Sequence, residues 1–181
     1  VALERSIDRH VDALIVLPGV GRRGQTNANF LRELHETRLP IVQLLHDFVP
    51  GLPVVERDEA TSAEFAAQRM IEAGHQRVAM VCDRRVHSSV PRAFDVLKRK
   101  LAGYERTMRV AGLEANVLVY DSETDERRPG AAPASFDAAA ALAPRLLEAK
   151  PRPTAVVTSN GFEALGLMRA LLPRGVRIPQ D

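Results

Sequence analysis

Cysteine is almost missing from this chain, tryptophan is missing altogether, and no long apolar run interrupts its 181 residues. Each lack excludes a class. A single cysteine, Cys82, rules out an intrachain disulfide framework and fits a reducing compartment, here the cytoplasm. Cys82 ends the apolar run Val78–Val81, where a small core residue is expected rather than a reactive thiol. With aromatics at only 4%, neither a base-stacking platform nor a carbohydrate lectin is expected. No segment approaches the roughly 20 apolar residues of a membrane helix. The opening Val1-Ala2-Leu3-Glu4-Arg5-Ser6 shows neither an initiator methionine nor a leader pattern, so a piece of a longer protein is expected, whose missing ends are no evidence. A formal charge of +2 is too small to argue for nucleic acid. The histidines at 10, 35, 46, 75 and 87 show no ligand spacing, so no metal site is expected. There is no Gly-x-Ser-x-Gly elbow and no Walker loop, and Ser88-Ser89 lack an evident base, so no catalytic set is expected.

What the chain does have is 45% hydrophobic residues, enough for a core, and a repeating order. The clearest unit is Glu72-Ala73-Gly74-His75-Gln76-Arg77 followed by Val78-Ala79-Met80-Val81. Gly74 fits the left-handed position that closes a helix, and the unbroken apolar run reads as a parallel strand covered on both faces. Strands are expected at 11–17, 41–45, 53–55, 78–82, 117–120 and 154–158. Helices are expected at 27–37, from the Thr61-x-x-Glu64 capping box to Gly74, at 92–111, and at 162–172 closed by Gly175. The Ala-rich run 136–149 is helical in composition with Pro144 inside it. Either the helix kinks there or a second helix starts with Pro144 in its first turn. Strands alternating with helices over short connections predict an α/β fold, parallel sheets flanked by helices. The polar stretch 83–91 suggests a boundary near residue 90, with domains 1–90 and 91–181 and a ligand cleft between them.

Pro18-Gly19-Val20-Gly21-Arg22-Arg23-Gly24 spells Gly-x-Gly-x-x-Gly after a strand, with Asp47 closing the next one. A dinucleotide site needs the helix to open inside the motif. Gln25-Thr26-Asn27 look instead like the cap of a helix that begins after the last glycine, so a loop is expected and no cofactor. Asp58, Lys100 and Asn160 each fall near the edge of a predicted core element. A binding cleft places a few such groups among apolar walls. The competing reading is that Asp58 caps a loop, Lys100 is a solvated helix charge and Asn160 caps the next helix.

Five stretches, in order, resemble the effector-binding core of the lac repressor (LacI) family of bacterial transcription regulators. They are Val11–Val16, Leu39–Val42, Glu72–Val81, Gly103-Tyr104 with Gly112-Leu113, and Pro153–Val157 through Asn160, Ala164, Gly166 and Ala170 to Ile178-Pro179-Gln180-Asp181. The resemblance implies two similar Rossmann-like subdomains of periplasmic-binding-protein type, holding a small-molecule effector. It implies a homodimer that controls operator DNA through an N-terminal helix-turn-helix domain outside this sequence. It also carries effector-binding roles to Lys100 (where the family commonly has Arg), Asn160, Asp58 and Phe136, although the family's Asp beside Asn160 is here Gly161. Lysine lacks the planar fork of arginine, so the ligand's polar contacts are expected to differ. The expected function is the metabolite sensor of a transcriptional repressor or activator, for a sugar or nucleobase-like molecule, with no enzyme chemistry. The alternatives are a solute-binding protein of a sugar uptake system and a nucleotide-dependent enzyme using Gly19–Gly24.

Overall fold

The computed structural model describes residues 11–17, 28–45, 47–87, 95–121 and 134–181. The glycines of the 19–24 motif and His10, His46 and Ser88-Ser89 lie outside the described residues. Contacts group the described residues up to Arg57 into one compact unit and those from Asp58 to Asp181 into a second.

The first unit carries β1 (Leu14–Val16), α1 (Ala28–Glu36), β2 (Ile41–Leu44) and β3 (Val54–Val55). The three strands are parallel in the order β1-β2-β3, with Leu14 beside Ile41 and Gln43 beside Val54. Leu31 and Leu34 of α1 pack with Leu14, Val16 and Ile41 in one core, joined by Phe48, Val49 and Leu52. Gln43 is fully buried and ties down the segment after β2. Its Nε2 donates to the Val49 carbonyl at 3.0 Å, and its Oε1 accepts from Phe48 N at 3.1 Å and Val49 N at 2.9 Å. A buried carboxamide needs such partners to avoid a desolvation penalty. Ile15 points the other way and is 74% exposed, the strand alternation putting successive side chains on opposite faces.

The second unit is a three-stranded parallel sheet, β5-β4-β6, made of β4 (Val78–Asp83), β5 (Asn116–Tyr120) and β6 (Ala155–Thr158). On one face lie α2 (Glu59–Glu72) and α3 (Asp95–Val110). On the other lie α4 (Ala134–Ala140), α5 (Ala143–Glu148) and α6 (Gly161–Leu171). β4 is buried along its whole length. Val78, Met80 and Cys82 join the α2–α3 core with Tyr104 and Met108. Ala79 and Val81 join the α4–α6 core with Leu142, Leu146 and Leu167. Strand alternation therefore serves two cores from one apolar run, which is why that run shows no polar member.

Several expectations are refined. The division falls between Arg57 and Asp58 instead of near residue 90, because β4 pairs with β5 and β6 and α2 packs on α3. The expected Thr61–Glu64 capping box is replaced by an Asp58 cap: Asp58 Oδ1 accepts from Thr61 N at 3.0 Å, and Glu64 pairs with Arg106. Pro144 sits in the first turn of α5, separate from α4, so the alanine-rich run is two helices. Gly74 and Gly175 close their helices at φ +91° and +82°.

Candidate functional site

Parallel strands of one sheet end on the same side, and the loops that follow them form the usual ligand-facing rim. In the second unit that rim is built from Asp83 at the end of β4, Tyr120 at the end of β5, and Ser159-Asn160 after β6. Lys100, on α3, reaches it: its ammonium donates to the Ser159 carbonyl at 2.6 Å and lies 3.2 Å from Glu59 Oε2. The Lys100 side chain is 18% exposed and that of Glu59 5%. Lys100 is thus a largely buried ion pair and not the solvated helix charge that the pattern left open.

Asn160 is the N-cap of α6. Its Oδ1 accepts from Glu163 N at 3.1 Å, and Glu163 Oε2 accepts in return from Asn160 N at 3.2 Å, a reciprocal capping box. The Glu163 carboxylate is fully buried and solvated by the protein itself. Oε1 takes the Tyr120 hydroxyl at 2.7 Å and the Ser159 hydroxyl at 2.7 Å, and Oε2 takes Ser159 N at 2.6 Å. Burial first, then the hydrogen bond to Glu163, pushes the Tyr120 phenol far above its ordinary range, so it stays a neutral donor. Neither Glu163 nor Tyr120 was singled out from the sequence. Asn160-x-x-Glu163 has capping-box spacing and could have shown the first; Tyr120 lies 43 residues from its partner and leaves no local signal.

Asp58 caps α2, with Oδ1 on Thr61 N and Oδ2 on the Thr61 hydroxyl at 2.8 Å. The Thr61 N–H, above all, holds its carboxyl below the usual carboxylate range. Asp58 and Glu59 are consecutive, so α2's first turn, Lys100 and the start of α6 meet in one place. Phe136 makes its contacts elsewhere. It sits on α4, half-buried, with the Arg169 guanidinium 5.4 Å from its ring centre and Gly166 of α6 against its carbonyl. Through Glu59 and Ser159, Lys100 links the first turn of α2 to the segment that opens α6, and Phe136 is tied to α6.

At the end of β4, Asp83 is buried and accepts from Arg85 N at 2.8 Å and the Arg85 guanidinium at 2.6 Å. Burial lifts the Cys82 thiol to about 12, which keeps it protonated. Among the described residues no group of three His, Cys, Asp or Glu is placed to hold a metal. No helix among them is long and apolar enough to cross a membrane. A cavity of about 310 Å³ runs along β6, lined by Met70, His75, Leu146, Leu171 and Ile178 among others. None of Asp58, Lys100, Phe136 or Asn160 lines it. It borders the outer edge of the sheet, so its volume says nothing about the polar cluster at the strand ends.

Residues 67–181 match the family described as periplasmic binding protein-like domain. The HTH-type transcriptional repressor PurR of Vibrio atlanticus is 29% identical over 154 residues, covering 83% of this chain and 41% of that protein. Catabolite control protein A of Priestia megaterium is 25% identical over 180 residues, covering 99% of this chain and 48% of its own. The chain thus spans less than half the length of these two relatives. Among solved structures, a LacI family transcriptional regulator from Enterococcus faecium with bound ribose superposes with a TM-score of 0.71 at 20% identity. That superposition covers 99% of this chain and 59% of the other and speaks to the fold. The family match extends over well more than half the chain, from α2 through both cores of the second unit: the chain belongs to the periplasmic-binding-protein-like family.

Proposed function

We propose that this chain is the ligand-sensing part of a transcription regulator. A small metabolite, a sugar or nucleobase-like molecule, binds at the carboxyl ends of β4, β5 and β6. The observation that supports this most is the bridge that Lys100 makes between Glu59, beside Asp58, and Ser159, beside Asn160, on one polar rim bounded by apolar cores. Each is already fixed by a hydrogen bond, so the site is preorganised. Ligand binding changes the balance between conformations only by its differential affinity for them, and DNA binding by a helix-turn-helix domain outside this sequence reads out that change. The regulator works as a homodimer. Phe162, Leu165 and Met168 on α6, with Leu172 just past its end, form an exposed apolar stripe at helical spacing, next to the site, and suit a subunit interface. The relatives are a transcriptional repressor and a catabolite control protein, which supports the sensor over a transport protein.

A thermal-shift series with D-ribose, other free sugars, purine bases and nucleosides tests the reading. A specific ligand at about 100 times its Kd adds about 2.7 kcal/mol to the native state. The shift should be lost in Asn160→Ala and strongly reduced in Lys100→Met. A ligand whose shift survives both substitutions binds elsewhere and refutes this site.

A further inference from the structure

We propose that Gln43 is a conformational latch: its carboxamide holds residues 47–53 and strand β3 closed on the first sheet, and so keeps the chain between the two units short, whatever ligand the second unit takes. Parallel neighbours are ordinarily joined by a crossover of about a dozen residues or more, usually a helix whose backbone groups satisfy one another. Between β2 and β3 there are only residues 45–53, with no helix among those described. Phe48, Val49 and Leu52 take a helix's place in the core that α1 shares. Burial removes their backbone groups from water, so each needs a partner within the protein. The Gln43 carboxamide serves four of them. Nε2 donates to the Val49 carbonyl at 3.0 Å and approaches the Leu52 carbonyl at 3.5 Å; Oε1 accepts from Phe48 N at 3.1 Å and Val49 N at 2.9 Å.

The same residue stands where β3 docks. Gln43 N donates to the Pro53 carbonyl at 2.8 Å, and Leu45 N donates to the Val55 carbonyl at 2.8 Å. β3 itself is only Val54–Val55, at the edge of its sheet, and both valines are exposed. Its own side chains bury little apolar surface, so the fixed segment before it decides whether it stays paired. After β3 come Glu56 and Arg57, and the second unit begins at Asp58, the cap of α2. With the latch closed, those two residues are all the chain between β3 and α2. With it open, the loose stretch runs from Leu45 to Arg57. A buried carboxamide offsets its own desolvation only through the bonds it makes, so this closure hangs on one polar side chain. Opening here is a local event, separate from unfolding of the α1 core. Gln43 is on this account a positioning residue for β3 and for the junction that follows it.

Amide hydrogen exchange of the whole chain, followed by NMR, tests the latch in Gln43→Met, which keeps the volume and removes the amide's donors and acceptor. Loss of the carboxamide bonds by itself would free only the Phe48 and Val49 amides. Opening of the segment with β3 also frees the amides of Leu45 and position 43, whose bonds go to Val55 and Pro53. These two should exchange at least about tenfold faster than in the wild type, while Leu31 and Leu34 of α1 stay unchanged. Cleavage after Glu56 by a glutamate-specific protease, read from the mass of fragment 1–56, should accelerate in parallel. Gln43→Glu gives a reversible form. Its protonated carboxyl donates and accepts as the amide does, whereas its carboxylate only accepts and meets the Val49 and Leu52 carbonyls. Burial raises that carboxyl's pKa, so the excess exchange over wild type should be present at about pH 8 and vanish toward about pH 5. Unchanged exchange at Leu45 in Gln43→Met, acceleration spread equally over α1, or no recovery of Gln43→Glu at the lower pH overturns the proposal. If Gln43→Met does not fold, the Gln43→Glu series decides.

Discussion

Gly103→Ala is the sharpest test of how α2 and α3 meet. Gly103 lies in mid-α3, where alanine would ordinarily stabilise a helix by about 1 kcal/mol. Here a Cβ would stand 2.3 Å from the Ala60 carbonyl oxygen and 2.9 Å from its carbon. A comfortable C···O contact is about 3.3 Å or more, so the helices must part by about 1 Å. The obstacle is backbone and not the tip of a side chain, so rotamer changes give no relief. Overpacking of this kind costs about 1–3 kcal/mol, and backbone against backbone belongs at the upper end. Subtracting the propensity gain leaves a net loss of about 2 kcal/mol. For a chain of this size that lowers Tm by about 4–8 °C in a melt followed by circular dichroism. Gly112→Ala serves as a control, since its φ of +68° makes any side chain strained while nothing lies within 4 Å. A Gly103→Ala chain that melts at or above the wild-type temperature would refute the close approach. It would also unsettle the site, because Ala60 follows Glu59 and the same contact sets where the Glu59 carboxylate meets Lys100.

Other consequences follow from single buried groups. Tyr104→Phe removes a hydroxyl whose proton lies between the Val78 and Asn116 carbonyls, at 2.9 and 3.1 Å, and which accepts from Asn116 N. The shape is kept but polar partners are left behind, so urea unfolding should show a loss of about 1–3 kcal/mol; an unchanged midpoint would mean that water replaces the hydroxyl. Cys82, buried between the sheet and the α2–α3 face, should resist a disulfide reagent at pH 8 in the native chain and react in denaturant. Rapid native labelling would contradict its placement.

Local signals were legible and distant ones were not. The run Val78–Val81 and the stop at Gly74 gave a helix, a turn and a buried strand from neighbouring residues alone. The division at Arg57/Asp58 was missed because the polar stretch after residue 82 looks like a break. The pairings that hold β4 in the second unit reach to residues 116–120 and 155–158. Asp58 and Thr61 are equally good caps by residue type, and only geometry shows that one caps the other's N–H. For the site, residue type and position pointed to Asp58, Lys100 and Asn160, but not to Glu59 and Glu163, the carboxylates that hold the last two. Lys100 looked like a surface charge since its partners, Glu59 and Ser159, stand 41 and 59 residues away.

The same bonds that shape the rim also stabilise the fold, and that decides how substitutions there must be read. Lys100→Ala leaves the Glu59 carboxylate, 5% exposed, without the ammonium that faces it. Breaking a buried pair by removing one member typically costs about 3–5 kcal/mol, more than many single domains can lose without partial unfolding. A missing ligand response in that variant would therefore be ambiguous between a lost contact and a loosened α2–α3 pair. Exchanging both members together, as in Glu59→Gln with Lys100→Met, removes the charges as a unit and leaves the volumes nearly filled. Such double replacement is often neutral for stability. A double variant that melts near the wild type yet has lost its ligand would assign Lys100 a direct contact. One that melts near the wild type and still binds would leave Asn160 and Asp58 as the groups that carry recognition.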